Sequence, residues 1–249
     1  MNRQQPPKVK SLPALVFWTA VWYLAALTVG NPLLLPTPVQ VLRCLLTMMG
    51  TVSFWQITAV SIGRILLGVL CAVVLGTVLA VLGAVSRLLY GVMAPAMTAM
   101  QATPVASFTI LVLIWLERDY VPVLICAMMG LPIVFNSVSG GIRVTDPQLL
   151  EMAKVYRLSG FQILRRIYVP SVMPFFRMAC SSALGLGWKA GIAAEVLTVP
   201  KQSVGRMISE SKLYLMTEEL FAWTLAVIAL SLLLQKLMLW LLERRSSHA

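Results

Sequence analysis

Six apolar windows dominate the chain, at residues 12–29, 57–85, 92–116, 121–140, 173–194 and 220–242. About 20 residues of α-helix cross the ~30 Å hydrocarbon layer of a bilayer, so each window is near spanning length. No water reaches the backbone inside that layer, and a helix lets one segment satisfy its own N–H and C=O groups. The expected fold is therefore an all-α membrane protein with about six transmembrane helices. Composition agrees: 59% of residues are hydrophobic, 12% are charged and the mean hydropathy is +0.86. Soluble domains run to roughly half apolar and a quarter charged. We read one membrane domain over 1–249, with 12–29 as an extra N-terminal helix, 52–243 as the core and 141–172 as a loop outside the bilayer.

The net charge of +11 does not imply nucleic-acid binding, because the basic residues are scattered among apolar blocks and form no clustered face. Placing both termini in the cytoplasm puts about eleven Lys and Arg in the inner segments and about five in the outer ones. The positive-inside rule favours that orientation, although Lys201, Arg206 and Lys212 fall outside. The acidic residues Glu117, Asp119, Glu210, Glu218 and Glu219 fall outside too. Trp55, Trp115, Tyr120, Trp223 and Trp240 lie at or near window ends, where amphipathic rings favour the interface. Cys44, Cys71, Cys126 and Cys180 lie far apart with no CxxC spacing, and are read as small packing residues. Arg3, Lys8 and Lys10 precede the first window as in a signal peptide, but Asn31-Pro-Leu-Leu-Leu-Pro is a poor cleavage site, which favours a retained helix.

In the second window Gly68, Ala72, Gly76, Ala80 and Ala84 recur at every fourth position. A stripe of small side chains lets another helix approach closely. Gly187 and Gly191, with Ala183, Ala190 and Ala194, repeat the pattern in the fifth window. Ordinary packing within the chain and a dimer seam both fit this spacing.

The segment between Gly140 and Met173 is too long for a tight connector and too short for a catalytic domain. Asp146 followed by Pro147 reads as an N-cap with proline at the first helical position, and Gly160 as the stop after one short helix. Leu149, Met152, Ala153 and Tyr156 share a face of that helix, while Glu151, Lys154 and Arg157 point elsewhere. Such a helix suits docking to a partner or lying flat on lipid headgroups.

The sequence Glu151-Met-Ala, followed by Ile167, Val169 and Pro170 at offsets 16, 18 and 19 from Glu151, resembles the EAA loop of bacterial ABC-importer permeases. Met152 stands where the motif has its first Ala, Val169 where it has Leu, and Arg157 where the family usually has Gly. Further likenesses are Leu35-Pro-Thr-Pro, Ser61-x-x-Arg64-x-x-x-Gly68, Thr103-Pro104, Gly187-Trp188-Lys189 leading to Ala194-Glu195, and Val204-Gly205. Together they are most similar to the nitrate/sulfonate/taurine-type permeases. The resemblance implies a type I ABC-importer permease fold, in which the 141–172 loop carries a cytoplasmic coupling helix. Glu151, Met152, Ala153, Tyr156, Arg157, Gly160, Ile167 and Pro170 would then dock on the ATP-binding subunit. It also implies a permease homodimer in a bacterial plasma (inner) membrane, two ATP-binding subunits and an extracytoplasmic substrate-binding protein.

No G-x-x-x-x-G-K-[ST] phosphate loop is present, since none of the seven lysines follows a glycine. No cofactor is expected on this chain; ATP and Mg belong on the partner subunit. The only histidine, His248, is in the C-terminal tail, and no nucleophile–base pair, carboxylate pair or metal-ligand set is apparent. The chain is expected to be a transport subunit and not an enzyme.

An ionisable group deep in a span costs roughly 2.5–3.5 kcal/mol on insertion scales, so Lys189 and Glu195 call for an explanation. Lys189 is a candidate to attract an anionic substrate, and Glu195 a gate or structural anchor at the outer mouth. Snorkelling or pairing with another helix is the plain alternative. Pro104 interrupts the third window and frees a carbonyl, with Gln101, Thr103 and Ser107 nearby, giving a kinked and polar-lined helix suited to a translocation path. The expected function is import of a small, anionic solute such as a sulfonate, nitrate or taurine. A permease for a thiamine precursor or other heterocycle, a membrane assembly protein recruiting a cytoplasmic partner, and an ion-driven carrier are the competing readings.

Overall fold

The computed structural model describes residues 11–244. Arg3, Lys8, Lys10 and His248 lie outside the described residues. The elements are α1 (Ser11–Val29), α2 (Pro38–Met49), α3 (Val52–Val85), α4 (Arg87–Ala102), α5 (Val105–Val112), α6 (Val121–Arg143), α7 (Pro147–Val155), α8 (Gly160–Ile163), a π-turn (Leu164–Tyr168), α9 (Val169–Thr198), α10 (Val204–Leu213) and α11 (Thr217–Arg244). Every described element is helical, as the bilayer demands of segments with no water to bond. Among the described residues, α3, α6 and 217–240 of α11 are each long and apolar enough to cross a membrane.

The third window departs from expectation. It is two helices, with α4 ending at Ala102 and α5 starting at Val105. Pro104 serves as the N-cap of α5, so the proline separates two helices instead of kinking one. Its lack of an N–H and the steric demand on the preceding residue explain the break. Thr103 accordingly sits in the extended region, at φ −72° and ψ 125°.

α6 is the centre of the bundle: 61% of its apolar window is buried, against 33% for α3 and 17% for α11. It packs along α3 on one side and α9 on the other. Apolar burial drives little association where the solvent is lipid, so close approach and dispersion must hold these helices together. The glycines permit that approach. A Cβ on Gly68 would stand 2.6 Å from the Cβ of Cys126, and one on Gly76 2.9 Å from that of Val134. On α9, a Cβ on Gly187 would meet Val69 at 2.8 Å and one on Gly191 would meet Sγ of Cys126 at 2.6 Å. These glycines of both stripes are therefore spent inside the chain, on the α3–α6–α9 seam. Cys126 fills the same seam and its thiol donates to the Gly187 carbonyl at 3.1 Å, in keeping with a packing role.

α2 and α10 were not expected from hydropathy. α2 is capped by a reciprocal Thr37–Gln40 box with Pro38 at its start, and lies against α11. Trp223 is likewise no interfacial ring: it is 4% exposed and stacks on Phe54 at 4.9 Å. Trp55, Trp115, Tyr120 and Trp240 remain exposed.

Candidate functional site

Two clusters of functional candidates occupy opposite ends of the bundle. The first is the segment joining α6 to α9. Asp146 caps α7 by accepting from the Gln148 N–H at 2.8 Å, with Pro147 in the first turn as expected. The helix does not run to Gly160. It stops at Tyr156, and Arg157 turns the chain with φ 51°. The Leu158 N–H bonds the Ala153 carbonyl at 2.9 Å and the Arg157 N–H bonds that of Lys154 at 3.0 Å. This is the Schellman arrangement, whose left-handed residue is ordinarily glycine. Gly160 instead opens α8, which passes without a break through the π-turn into α9. The second half of the expected loop is thus the first turns of a long helix.

The face predicted for α7 divides. Ala153 is fully buried within the chain, whereas Leu149, Met152 and Tyr156 are exposed, together with Val155 and Phe161. Glu151, Arg157, Gly160 and Pro170 are also exposed, and Ile167 is buried. A short helix therefore presents several large apolar side chains outward while one small residue anchors it.

The second cluster gathers around Glu195, near the end of α9. Its side chain is wholly buried. Oε2 accepts the Ser61 hydroxyl at 2.8 Å and the Gly205 N–H at 3.1 Å. Oε1 faces Nη1 of Arg64 at 3.7 Å. Ser61 in turn accepts the Val204 N–H at 2.9 Å. Arg64 pairs with Asp119 at 2.8 Å and donates to the carbonyls of Lys201 and Gln202 at 2.8 and 3.3 Å. Asp119 also accepts the Lys201 N–H at 3.0 Å. The helix end, the start of α10 and the segment before α6 are thereby tied to α3. A buried carboxylate is tolerable only with such partners, and the N–H groups at the start of α10 add a favourable dipole. Gly205 is required here, since a Cβ would lie 2.5 Å from the Glu195 carbonyl carbon.

The other pathway candidates are spread along the surface. Gln101, Pro104 and Ser107 are exposed and Thr103 is half-buried, its hydroxyl donating back to the Ala99 carbonyl at 2.8 Å. Lys189 is exposed about two-thirds of the way along α9 and, among the described residues, has no ion-pair partner. Glu195 and Lys189 are not brought together: one is locked between helices and the other open to the surroundings.

The family described as binding-protein-dependent transport system inner membrane component matches residues 65–246. The chain belongs to this family. The permease is 28% identical over 253 residues to the taurine transport system permease protein of Escherichia coli (strain K12), covering 98% of this chain and 90% of that protein. It is 26% identical to a putative aliphatic sulfonates transport permease protein of Bacillus subtilis (strain 168), over 85% of this chain and 76% of that one. With the nitrate import permease protein of Leptolyngbya laminosa it shares 29% identity over 58% of this chain and 52% of that one. The permease is thus a multi-pass membrane subunit of an ATP-driven importer and no enzyme; ATP hydrolysis lies in a separate subunit, and a substrate-binding protein belongs to the system.

Sequence reasoning quoted Ser61, Arg64 and Gly205 of the permease only as points of likeness and missed that they converge on Glu195. One arginine and one glutamate, each inside an apolar stretch, carried that signal. Arg177 was passed over too: it lies within α9, and its Nε is buried with no hydrogen-bond partner among the described residues.

Proposed function

We propose that the permease passes a small anionic solute of the sulfonate, nitrate or taurine class, delivered by an extracytoplasmic substrate-binding protein, through a homodimer served by two ATP-binding subunits. The observation that carries this reading is Lys189. An unpaired ammonium on an exposed stretch of α9 would cost roughly 2.5–3.5 kcal/mol against hydrocarbon, so this face belongs to water or to a second copy of the chain. A cation beside water on a spanning helix suits an anion's passage. The broken α4–α5 helix supports the same reading, with Gln101, Thr103, Pro104 and Ser107 around the break as lining residues. Relatives are named for taurine, aliphatic sulfonates, nitrate and bicarbonate, all of which carry an anionic group.

Energy enters through α7. Met152 and Tyr156 offer an apolar face to the ATP-binding subunit, with Glu151, Arg157, Gly160 and Pro170 around it and Ala153 and Ile167 buttressing it from within. ATP and Mg reside on that partner. Closure of the partner pair drags the α7 helices, the permease dimer opens outward, and hydrolysis resets it inward; only differential affinity for the closed state can drive such a shift. Glu195 acts in this scheme as the anchor of the outer end. Both termini lie in the cytoplasm of a bacterium, and each copy crosses its plasma (inner) membrane about six times.

The test is uptake by proteoliposomes holding the permease with its ATP-binding and substrate-binding partners. ATP-dependent uptake of taurine or an alkanesulfonate, lost in Lys189→Glu, is expected. Uptake of a neutral heterocycle with indifference to Lys189 overturns the anionic reading.

A further inference from the structure

At the α7 end of the bundle, α3, α4 and α6 enclose a cavity of about 390 Å³ lined by Gly83, Ala84, Arg87, Tyr90, Ser139, Ile142 and Arg143. The lining holds two guanidinium groups and no carboxylate. Neither arginine has an ion-pair partner among the described residues. Arg143 is braced instead over the Tyr90 ring, 4.0 Å from its centroid, and Tyr90 stacks on Phe135 at 5.8 Å. Cation–π contact orients a guanidinium without using its donors. The decisive residue is Ser139. It is 6% exposed, it lines the cavity, and its hydroxyl has no hydrogen-bond partner. A buried hydroxyl left without a partner is destabilising, and an acceptor in the cavity would relieve it. Arg87 opens α4, so the positive end of that helix dipole falls at the same place.

We infer that this cavity binds a tetrahedral oxyanion, a phosphate or sulfate group, between Arg87, Arg143 and the Ser139 hydroxyl. Forked guanidinium donors match such oxygens in geometry and charge, and the volume falls within the usual range of ligand sites, about 300–1,000 Å³. The phosphate of an anionic lipid headgroup and a free oxyanion share this chemistry.

The experiment uses the full chain, delipidated in a neutral detergent, and reads thermal melting. One arm titrates inorganic phosphate and sulfate against chloride at constant ionic strength. The other titrates phosphatidylglycerol against phosphatidylcholine in mixed micelles. Stabilisation in at least one arm is expected, weakened about tenfold or more in apparent affinity by the pair Arg87→Gln and Arg143→Gln. The pair Arg165→Gln and Arg166→Gln, at the same end of the bundle, should leave it unchanged. A response to phosphate assigns a free oxyanion; a response to phosphatidylglycerol alone assigns a lipid headgroup. No response in either arm, or one that the Arg87 and Arg143 changes leave intact, overturns the inference. Should those variants not fold, Ser139→Ala removes one hydroxyl and carries the same decision.

Discussion

Ser61 donates its hydroxyl to Glu195 across 2.8 Å, joining α3 to α9 at a carboxylate with no exposed surface. Its neighbours ration the freedom of that end of the molecule: the Gly205 N–H shares Oε2 with Ser61, and Arg64 faces Oε1 at 3.7 Å. Glu195→Ala leaves the Ser61 hydroxyl and the Gly205 N–H without their acceptor, removes the negative charge facing Arg64, and should cost about 2–4 kcal/mol. Glu195→Gln retains an acceptor for Ser61 and Gly205 and should cost less. Thermal melting in a fixed detergent ranks the two variants; equal losses would mean that the charge dominates and the hydrogen bonds contribute little.

Gly205→Ala should be at least as damaging as Glu195→Ala. The added methyl would meet the Glu195 backbone, and a backbone cannot step aside as a side-chain tip can. Separation of α10 from α9, read as faster amide exchange over residues 204–213, is the expected signature.

Ala153 is a poor probe of partner docking, because it is buried inside the chain and an acidic replacement would unfold its surroundings. Met152→Glu and Tyr156→Glu test the same surface from outside. Exposed changes usually move stability by no more than about 0.5 kcal/mol, so the permease should melt as before. Co-purification with its ATP-binding subunit should be lost. Retention of that subunit by both variants would remove α7 from the contact.

Arg157 holds a left-handed conformation that costs a non-glycine residue roughly 1–2 kcal/mol. Arg157→Gly should therefore be neutral or stabilising by about 0.5–1 kcal/mol, after glycine's greater chain entropy is subtracted. Arg157→Val, β-branched at the same angle, should loosen the end of α7. Melting and limited proteolysis near residue 157 separate these outcomes.

Hydropathy made the long helices of this fold legible, since α3, α6 and α11 coincide with apolar windows. It was blind to α2 and α10, which are short and held by capping: Thr37 with Gln40 for one, Ser203 accepting from the Arg206 N–H for the other. Pro104 was visible as an interruption, but whether a proline bends a helix or divides it depends on neighbours that no local pattern encodes. The α7 cap at Asp146 was readable because it is made within three residues. The Glu195 cluster was not, for Ser61 and Glu195 stand 134 positions apart and meet only once α3 and α9 have packed.

From Gly160 to Thr198 the backbone stays helical through a π-turn, a contour of about 58 Å at 1.5 Å per residue. One end adjoins α7 and the other carries Glu195. From Tyr168 to Glu195 the arm is about 40 Å, so a tilt of about 5° at its near end would sweep Glu195 through about 3.5 Å, more than its hydrogen bonds can stretch. The wide turn at Leu164–Tyr168, where the regular ladder is already loosened, is the natural fulcrum. A pull on α7 would have one helical run to travel before it reached the Glu195 bolt.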